Sequence, residues 1–448
     1  MKSSLLKLSR LAARINGKLI RVAALWKRIG TIELAKFIYR RLTNRNGPSG
    51  QPAIQPAEKA DFIRHYQFVR YAPFGAPVSA ATPVKTNTIN WVIPDVGIGS
   101  GGHLNIFRLI FFLEQHGFEC RVVINGGSHF SSVAEIRDCI IKNYVPIKAD
   151  VFVGGAAMPP AWFTFATSWI TAYTVRNFQS TIYKCYFVQD FEPFFFAHGT
   201  DFALAEQTYR FGFLGITAGR WLTEKLSREY GMKSIPIGFS YDKDRYHPGN
   251  RQRTAECNIF FYARPETQRR GFELGLMVLD DAAKRIPDLN VIFAGEDIAP
   301  FAIPFRHVNA GILKLDDLPD LYNRCDAALV ISLTNLSLLP LELMACGCPV
   351  VSNNGPNVEW LLNREIAALA EPTVEALRDA LISLLTDEGY RLRLIDAGLN
   401  FAKTTDWARE ANTVAGILTQ LLEEKTGPRG GNPNGEGASA ALTEGRAR

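Results

Sequence analysis

From Thr88 onward the chain repeats strand, turn and helix, and this alternation constrains the fold more than any other feature. Residues 89–93 read as a strand, a glycine loop follows, a helix runs from about 102 to 115, and 120–124 is the next strand. A second series starts at Asn258-Ile259-Phe260-Phe261-Tyr262 and continues through 291–294, 327–331 and 350–351. Strands joined by helix-length crossovers lie parallel, so the expectation is an α/β protein with two Rossmann-like, doubly wound parallel sheets facing a cleft.

A chain of 448 residues, 47% apolar, is long enough to bury two such cores. The texture divides it into a basic amphipathic helical arm (1–46), a Pro- and Gly-rich linker (47–57), a first Rossmann-like domain (58–246) and a second (247–405). A C-terminal helix (406–425) and a tail too polar to fold (426–448) complete the plan. The net charge of +6 is uneven: residues 1–45 hold twelve Lys or Arg against Glu33 alone, or +11, leaving −5 for the rest. No nucleic-acid partner is therefore expected of the folded part. In the arm, Leu5, Leu8, Ala12, Ile15, Leu19, Val22, Trp26 and Ile29 recur at steps of three and four. Such a stripe suits either an anionic membrane surface or a coiled-coil seam in a homodimer, and the spacing does not choose between them.

Seven cysteines, with no signal peptide before them, point to the reducing cytoplasm, with the arm able to reach the inner face of the membrane. Residues 151–175 are uncharged and long enough to span a bilayer, but Gly154-Gly155 and Met158-Pro159-Pro160 split them. A buried strand and loop is the better reading.

Gly97, Gly99 and Gly102 in DVGIGSGGH have the spacing of a dinucleotide fingerprint, yet the second strand ends Ile124-Asn125-Gly126-Gly127 without the carboxylate that would hold a ribose. That argues against a dehydrogenase. Gly101 and Gly102 instead let backbone N–H groups approach a phosphate or sugar. In the second series Arg264 follows a strand and Arg269-Arg270-Gly271 opens a helix, a pair of guanidinium groups suited to clamping a diphosphate. Lys314, on the loop after another short strand, is a third candidate cation. The strand in YFVQDFE ends with Gln189, Asp190 and Glu192, where open α/β sheets bind ligands and where an acid can orient an acceptor hydroxyl or take its proton. The apolar run 332–351, SLTNLSLLPLELMACGCPVV, holds one carboxylate, Glu342, in the first turns of a helix. Asp242-Lys243-Asp244 has the letters of a metal-binding D-x-D but falls in the segment between the two series. Cys346 and Cys348 lack a second ligand pair, so no metal is expected.

The second half of 332–351 resembles the nucleotide-sugar signature of glycosyltransferase family four, while Thr334 stands where that signature has its first Glu and Asn335 to Leu339 replace a Gly-Phe-Gly. The segment IPIGFSYDKDRYHP (235–248) is similar to the family's hinge. Together with NWVIPDVGIGSGGH, YFVQDFEPFFF, ITAGRWLTEKL and FYARPETQRRGFELG, the chain resembles WsaF-type rhamnosyltransferases over roughly residues 60–410. The resemblance implies a GT-B fold and a nucleotide-sugar donor, dTDP-L-rhamnose. It also implies a glycan or lipid-linked glycan acceptor, transfer with retention, and no cofactor. It puts Gly101, Gly102, Arg264, Arg269, Lys314, Ser337 and Glu342 at the donor, with Arg270 an alternative to Arg269. It puts His103, Gln189, Asp190 and Glu192 at the acceptor, and gives the chemistry to Asp190, Glu192 and Lys314. Two other readings stay open: a non-catalytic nucleotide-sugar- or glycan-binding protein of the same fold, prompted by Thr334, and a sugar-nucleotide epimerase.

Overall fold

Strands β1 (Thr88–Ile93) and β4 (Ala161–Ala166) are buried along their whole length, as strands covered by helices on both faces must be. They lie side by side at the centre of a seven-stranded parallel sheet of order β3-β2-β1-β4-β5-β6-β7. Its other strands are β2 (Glu119–Ile124), β3 (Asp150–Val153), β5 (Thr181–Val188), β6 (Leu214–Ala218) and β7 (Ser234–Ile237). The second sheet, also parallel, has the order β10-β9-β8-β11-β12-β13. It comprises β8 (Cys257–Tyr262), β9 (Leu289–Ala294), β10 (His307–Gly311), β11 (Ala327–Val330), β12 (Val350–Asn353) and β13 (Ala368–Ala370). Strand order reverses between β1 and β4 in one sheet and between β8 and β11 in the other. A crevice opens at the C-terminal strand ends of such switch points.

This structure, a computed structural model, describes residues 61–79, 83–249 and 256–426. The expected arm and linker, and the tail beyond 426, lie outside the described residues. The described residues from 66 to 426 form one compact unit that holds both sheets, and in the unit before it the described residues carry a short helix, Phe62–His65.

Residues 151–175 differ from expectation. They form β3, a tight turn at 155–157, β4 and the start of a helix, α2 (Trp169–Asn177), rather than one strand and a loop. The run AWFTFA (161–166) is uniformly apolar, and periodicity cannot tell such a run from the loop or helix it adjoins. Among the described residues no helix is long and apolar enough to cross a membrane.

The chain passes between the sheets twice. It leaves β7 for β8 through residues 238–256, and it returns in the helix Trp407–Thr426, whose Ala411, Val414, Ala415, Leu418 and Leu422 are buried in the core of the first sheet. Ser240 and Thr405 share a hydroxyl–hydroxyl bond of 3.0 Å where the two passages meet, and Gly238 N–H donates to Glu410 at 2.6 Å.

Gly219, just after β6, has φ of +89° and sits against Trp360 of the second domain, so that a Cβ there would lie 2.4 Å from the indole. Both the backbone angle and the space demand glycine. Gly219→Ala is expected to lower unfolding free energy by about 2–3 kcal/mol through overpacking and backbone strain. A urea midpoint equal to that of the parent would refute this close approach.

Candidate active site

The C-terminal ends of β5 and β6 meet the loop after β11, and Asp190 lies buried at the junction. Its Oδ2 accepts from the Thr334 hydroxyl at 2.9 Å, and its Oδ1 accepts from Asn335 N–H and Phe191 N–H, both at 2.8 Å. The Asn335 side-chain amide extends the contact in the same direction, donating to the carbonyls of Gln189 (2.9 Å) and Ala218 (2.8 Å). Two domains are thus joined around one carboxylate by four bonds, all donated by the second domain and accepted by the first. Burial raises the Asp190 pKa, while Arg270, Asn335 N–H, Arg269 and Thr334 pull against it.

Arg269 and Arg270 stand beside this carboxylate. Arg269 Nε is 3.7 Å from Asp190 Oδ2, and its guanidinium lies 3.9 Å over the ring of Phe195. That Nε is buried without a hydrogen-bond partner among the described residues. Arg270 donates to Ser332 at 2.8 Å and lines a small cavity with Tyr262, Ser337 and Leu339 at the β8–β11 switch point. Arg264, at the end of β8, pairs with Glu296 at 3.1 Å. Lys314 is exposed on the loop after β10.

On the other side of the crevice, Gly101 and Gly102 open α1 (Gly101–Gln115) with their backbone exposed. Gln189 ties this helix start to β5: its Nε2 donates to Gly102 O at 3.1 Å, and its Oε1 accepts from Asn105 at 2.9 Å. His103 is 8% exposed and stacks on Phe107; neither ring nitrogen has a hydrogen-bond partner among the described residues. Burial lowers its pKa, which favours a neutral ring.

Glu342, in the short helix Leu339–Ala345, faces the interdomain passage. Burial pushes its pKa up to about 7, opposed by Arg108, Arg245 and the Tyr246 hydroxyl. Arg108 comes from α1 and is itself buried, 5.4 Å over the Trp407 ring.

Glu192 turns inward, beneath the first domain's surface. Its Oε2 accepts from Trp169 N–H at 2.8 Å and its Oε1 from the Tyr186 hydroxyl at 3.0 Å, so it satisfies the first backbone donor of α2 beside the Ser168 cap. Burial raises its pKa to about 7. A carboxyl near 4.3 in the unfolded chain and near 7 in the fold gives stability that is full below pH 4 and is lost as pH rises through 7. Glu192→Gln is therefore expected to flatten the fall in unfolding free energy between pH 5 and 8 by up to about 3 kcal/mol. Parallel pH–stability curves for the two proteins would contradict it.

The structure thus brings together Asp190, Gln189, Gly102, Arg269 and Arg270, and puts Ser337 at the same strand ends. It sets Glu192 below them, Glu342 toward the passage between domains, and Arg264 and Lys314 on neighbouring loops. Sequence reasoning missed Thr334 and Asn335 as partners of Asp190, which lie 144 and 145 positions away. It also missed Arg108, although one charge in the apolar stretch IFRLIFFL was a usable signal.

A family model of the WsaF N-terminal domain matches residues 122–217, and one of the WsaF C-terminal domain matches residues 257–382. The O-antigen biosynthesis protein RfbC of Myxococcus xanthus is 33% identical over 342 residues, which are 74% of this chain and 27% of RfbC. The chain thus spans about a quarter of that relative's length. Among solved structures, a sucrose-phosphate synthase of Thermosynechococcus elongatus is similar with a TM-score of 0.60 at 14% identity, over 75% of this chain and 99% of that one. HepE of Anabaena, solved with UDP and glucose, is similar with a TM-score of 0.58 at 15% identity, over 75% and 100%. At these identities the likeness concerns the fold, and the fold is GT-B.

Proposed function

Because the chain belongs to the WsaF family, we propose that it is a glycosyltransferase of surface-polysaccharide synthesis, moving L-rhamnose from dTDP-L-rhamnose to a glycan acceptor. The observation that carries this reading is the meeting of Asp190 with Arg269 and Arg270 at the strand ends of both sheets. An anion site and an acid there face one crevice from opposite domains. Breaking a glycosyl phosphate leaves positive charge on the sugar and negative charge on the departing diphosphate. Arg264, Arg269 and Lys314, with Arg270 behind them, stabilise the second charge, and Gly101 and Gly102 bring backbone N–H groups to the same phosphates. Ser337 and Glu342 take hydroxyls of the donor. Gln189, Asp190 and His103 hold the acceptor, whose hydroxyl attacks the face from which the diphosphate leaves and passes its proton to the departing phosphate oxygen, giving retention. Glu192 supports them by fixing α2.

The test is a panel of nucleotide sugars. dTDP-L-rhamnose is expected to give the largest thermal shift and, with a rhamnoside acceptor, transfer. The arginines supply the electrostatic role a divalent ion would otherwise fill, so transfer is expected to persist in EDTA. Loss of activity on chelation with recovery on manganese would overturn the metal-free mechanism. Isomerisation of the donor without acceptor would mark an epimerase instead.

A further inference from the structure

Asp95 stands two residues beyond β1, at the switch point of the first sheet, and the proposed chemistry gives it no part. Its Oδ1 accepts from Val96 N–H at 3.0 Å and from the Ser128 hydroxyl at 2.7 Å. Its Oδ2 accepts from His129 N–H at 2.9 Å and from His129 Nδ1 at 2.6 Å. Burial pushes this carboxyl up, but the bonds from Ser128, His129 and Val96 outweigh it and hold the pKa at about 2. Asp95 is a fixed anion.

The imidazole contact comes in addition to the backbone and Ser128 bonds that tie the loop after β2 to Asp95. With Nδ1–H committed to Asp95, the tautomer of the neutral ring is set and its Nε2 is the acceptor. The His129 side chain is 62% exposed, and its ring lies against Phe130 with centroids 4.1 Å apart. Ile98, in the glycine loop that follows Asp95, is 75% exposed. An oriented acceptor nitrogen next to an aromatic ring is the chemistry that recognises a sugar, which offers hydroxyls at its edge and C–H groups on its face.

Position supports the same ligand. His129 follows β2 but is tied to Asp95 beyond β1, which lies two strands, about 10 Å, from β5, the strand that leads to Asp190, so both residues stand at the same C-terminal edge of the first sheet. We propose that His129, oriented by Asp95, is an acceptor-positioning residue, its Nε2 accepting a hydrogen bond from a hydroxyl of the acceptor glycan while Phe130 packs on the sugar's C–H face. This rests on the reading of the chain as a glycosyltransferase whose first domain takes the acceptor.

Octyl α-L-rhamnoside is the acceptor probe and dTDP-L-rhamnose the donor. His129→Ala is expected to raise the acceptor KM about five- to tenfold, the loss of one hydrogen bond, with kcat, donor KM and dTDP affinity within about twofold. His129→Gln, which keeps a polar atom near the position of Nε2, is expected to recover part of that loss. Ser128→Ala removes one bond to Asp95 and the acceptor of Phe130 N–H but keeps the imidazole, and is expected to raise the acceptor KM by clearly less than His129→Ala. Saturation-transfer NMR of the rhamnoside on parent and His129→Ala repeats the comparison without turnover. An unchanged acceptor KM and NMR signal in His129→Ala, or an equal rise in Ser128→Ala, would overturn the proposal and leave the glycosyltransferase reading standing. Failure of the parent protein to turn over or bind any donor in the panel would sink that reading, with the NMR comparison still deciding on His129.

Discussion

Asp190→Ala is expected to lower the unfolding free energy by about 3–5 kcal/mol and transfer by about a hundredfold. The substitution leaves the Thr334 hydroxyl and Asn335 N–H, both buried, without their acceptor, and two guanidinium groups without the carboxylate between them. Each stranded donor costs about 1–3 kcal/mol, and the arginines then repel one another in a poorly solvated place. A fall in the thermal midpoint on the order of 5–10 °C is expected by scanning calorimetry. Asp190→Asn keeps two of the acceptor contacts and is expected to recover most of the stability but little of the turnover. If the Ala variant melts within a degree of the parent, the junction between the domains is not built on this residue.

Arg269→Ala is expected to weaken dTDP binding by about ten- to a hundredfold, equivalent to a charge-assisted contact of about 1.5–3 kcal/mol. Its guanidinium is held in advance by the Phe195 face and by Asp190, so little ordering is needed when a phosphate arrives. Arg269→Lys keeps the charge but loses the planar fork, and is expected to fall between the two. Titration calorimetry with dTDP decides it; an affinity equal to the parent's would move the diphosphate away from this turn. Because Asp190 and Arg269 touch, their double variant is expected to lose less than the sum of the single losses.

Sequence pattern carried the two sheets because their central strands are buried on both faces, and uninterrupted apolar runs such as TINWVI and CNIFFY separated by helix-length segments admit few other folds. The cations were legible for a related reason: Arg264, Arg269 and Lys314 follow strands whose ends were already placed. What pattern could not carry is anything decided by the meeting of the two domains. Asp190 was visible as an acid at a strand end, but its bonds go to residues that only the docked domains bring near. The direction of Glu192 was hidden as well, since the period-two register stops at Val188 and the following 3-10 turn, Glu192–Phe195, rotates the side chain into the core. Glu342 was placed correctly on a helix, yet the groups acting on it, Arg108 and Arg245, come from the other domain and from the passage between them.

The return of the last helix has a consequence for how the protein is made. Ala411, Val414 and Leu418 fill the same core as Ile106, Leu109 and Ile237, so the first domain lacks part of its interior until the ribosome has passed residue 418. From Ile237 that is about 180 residues, or about ten to forty seconds at ordinary elongation rates. During that interval the apolar surface of α1 stands open, whereas the second sheet, between residues 257 and 370, has all its strands before the final helix emerges. The second domain is thus in a position to finish first, inverting the order of synthesis, and a nascent chain stalled in the passage after β7 is a client for a chaperone rather than half of a working enzyme.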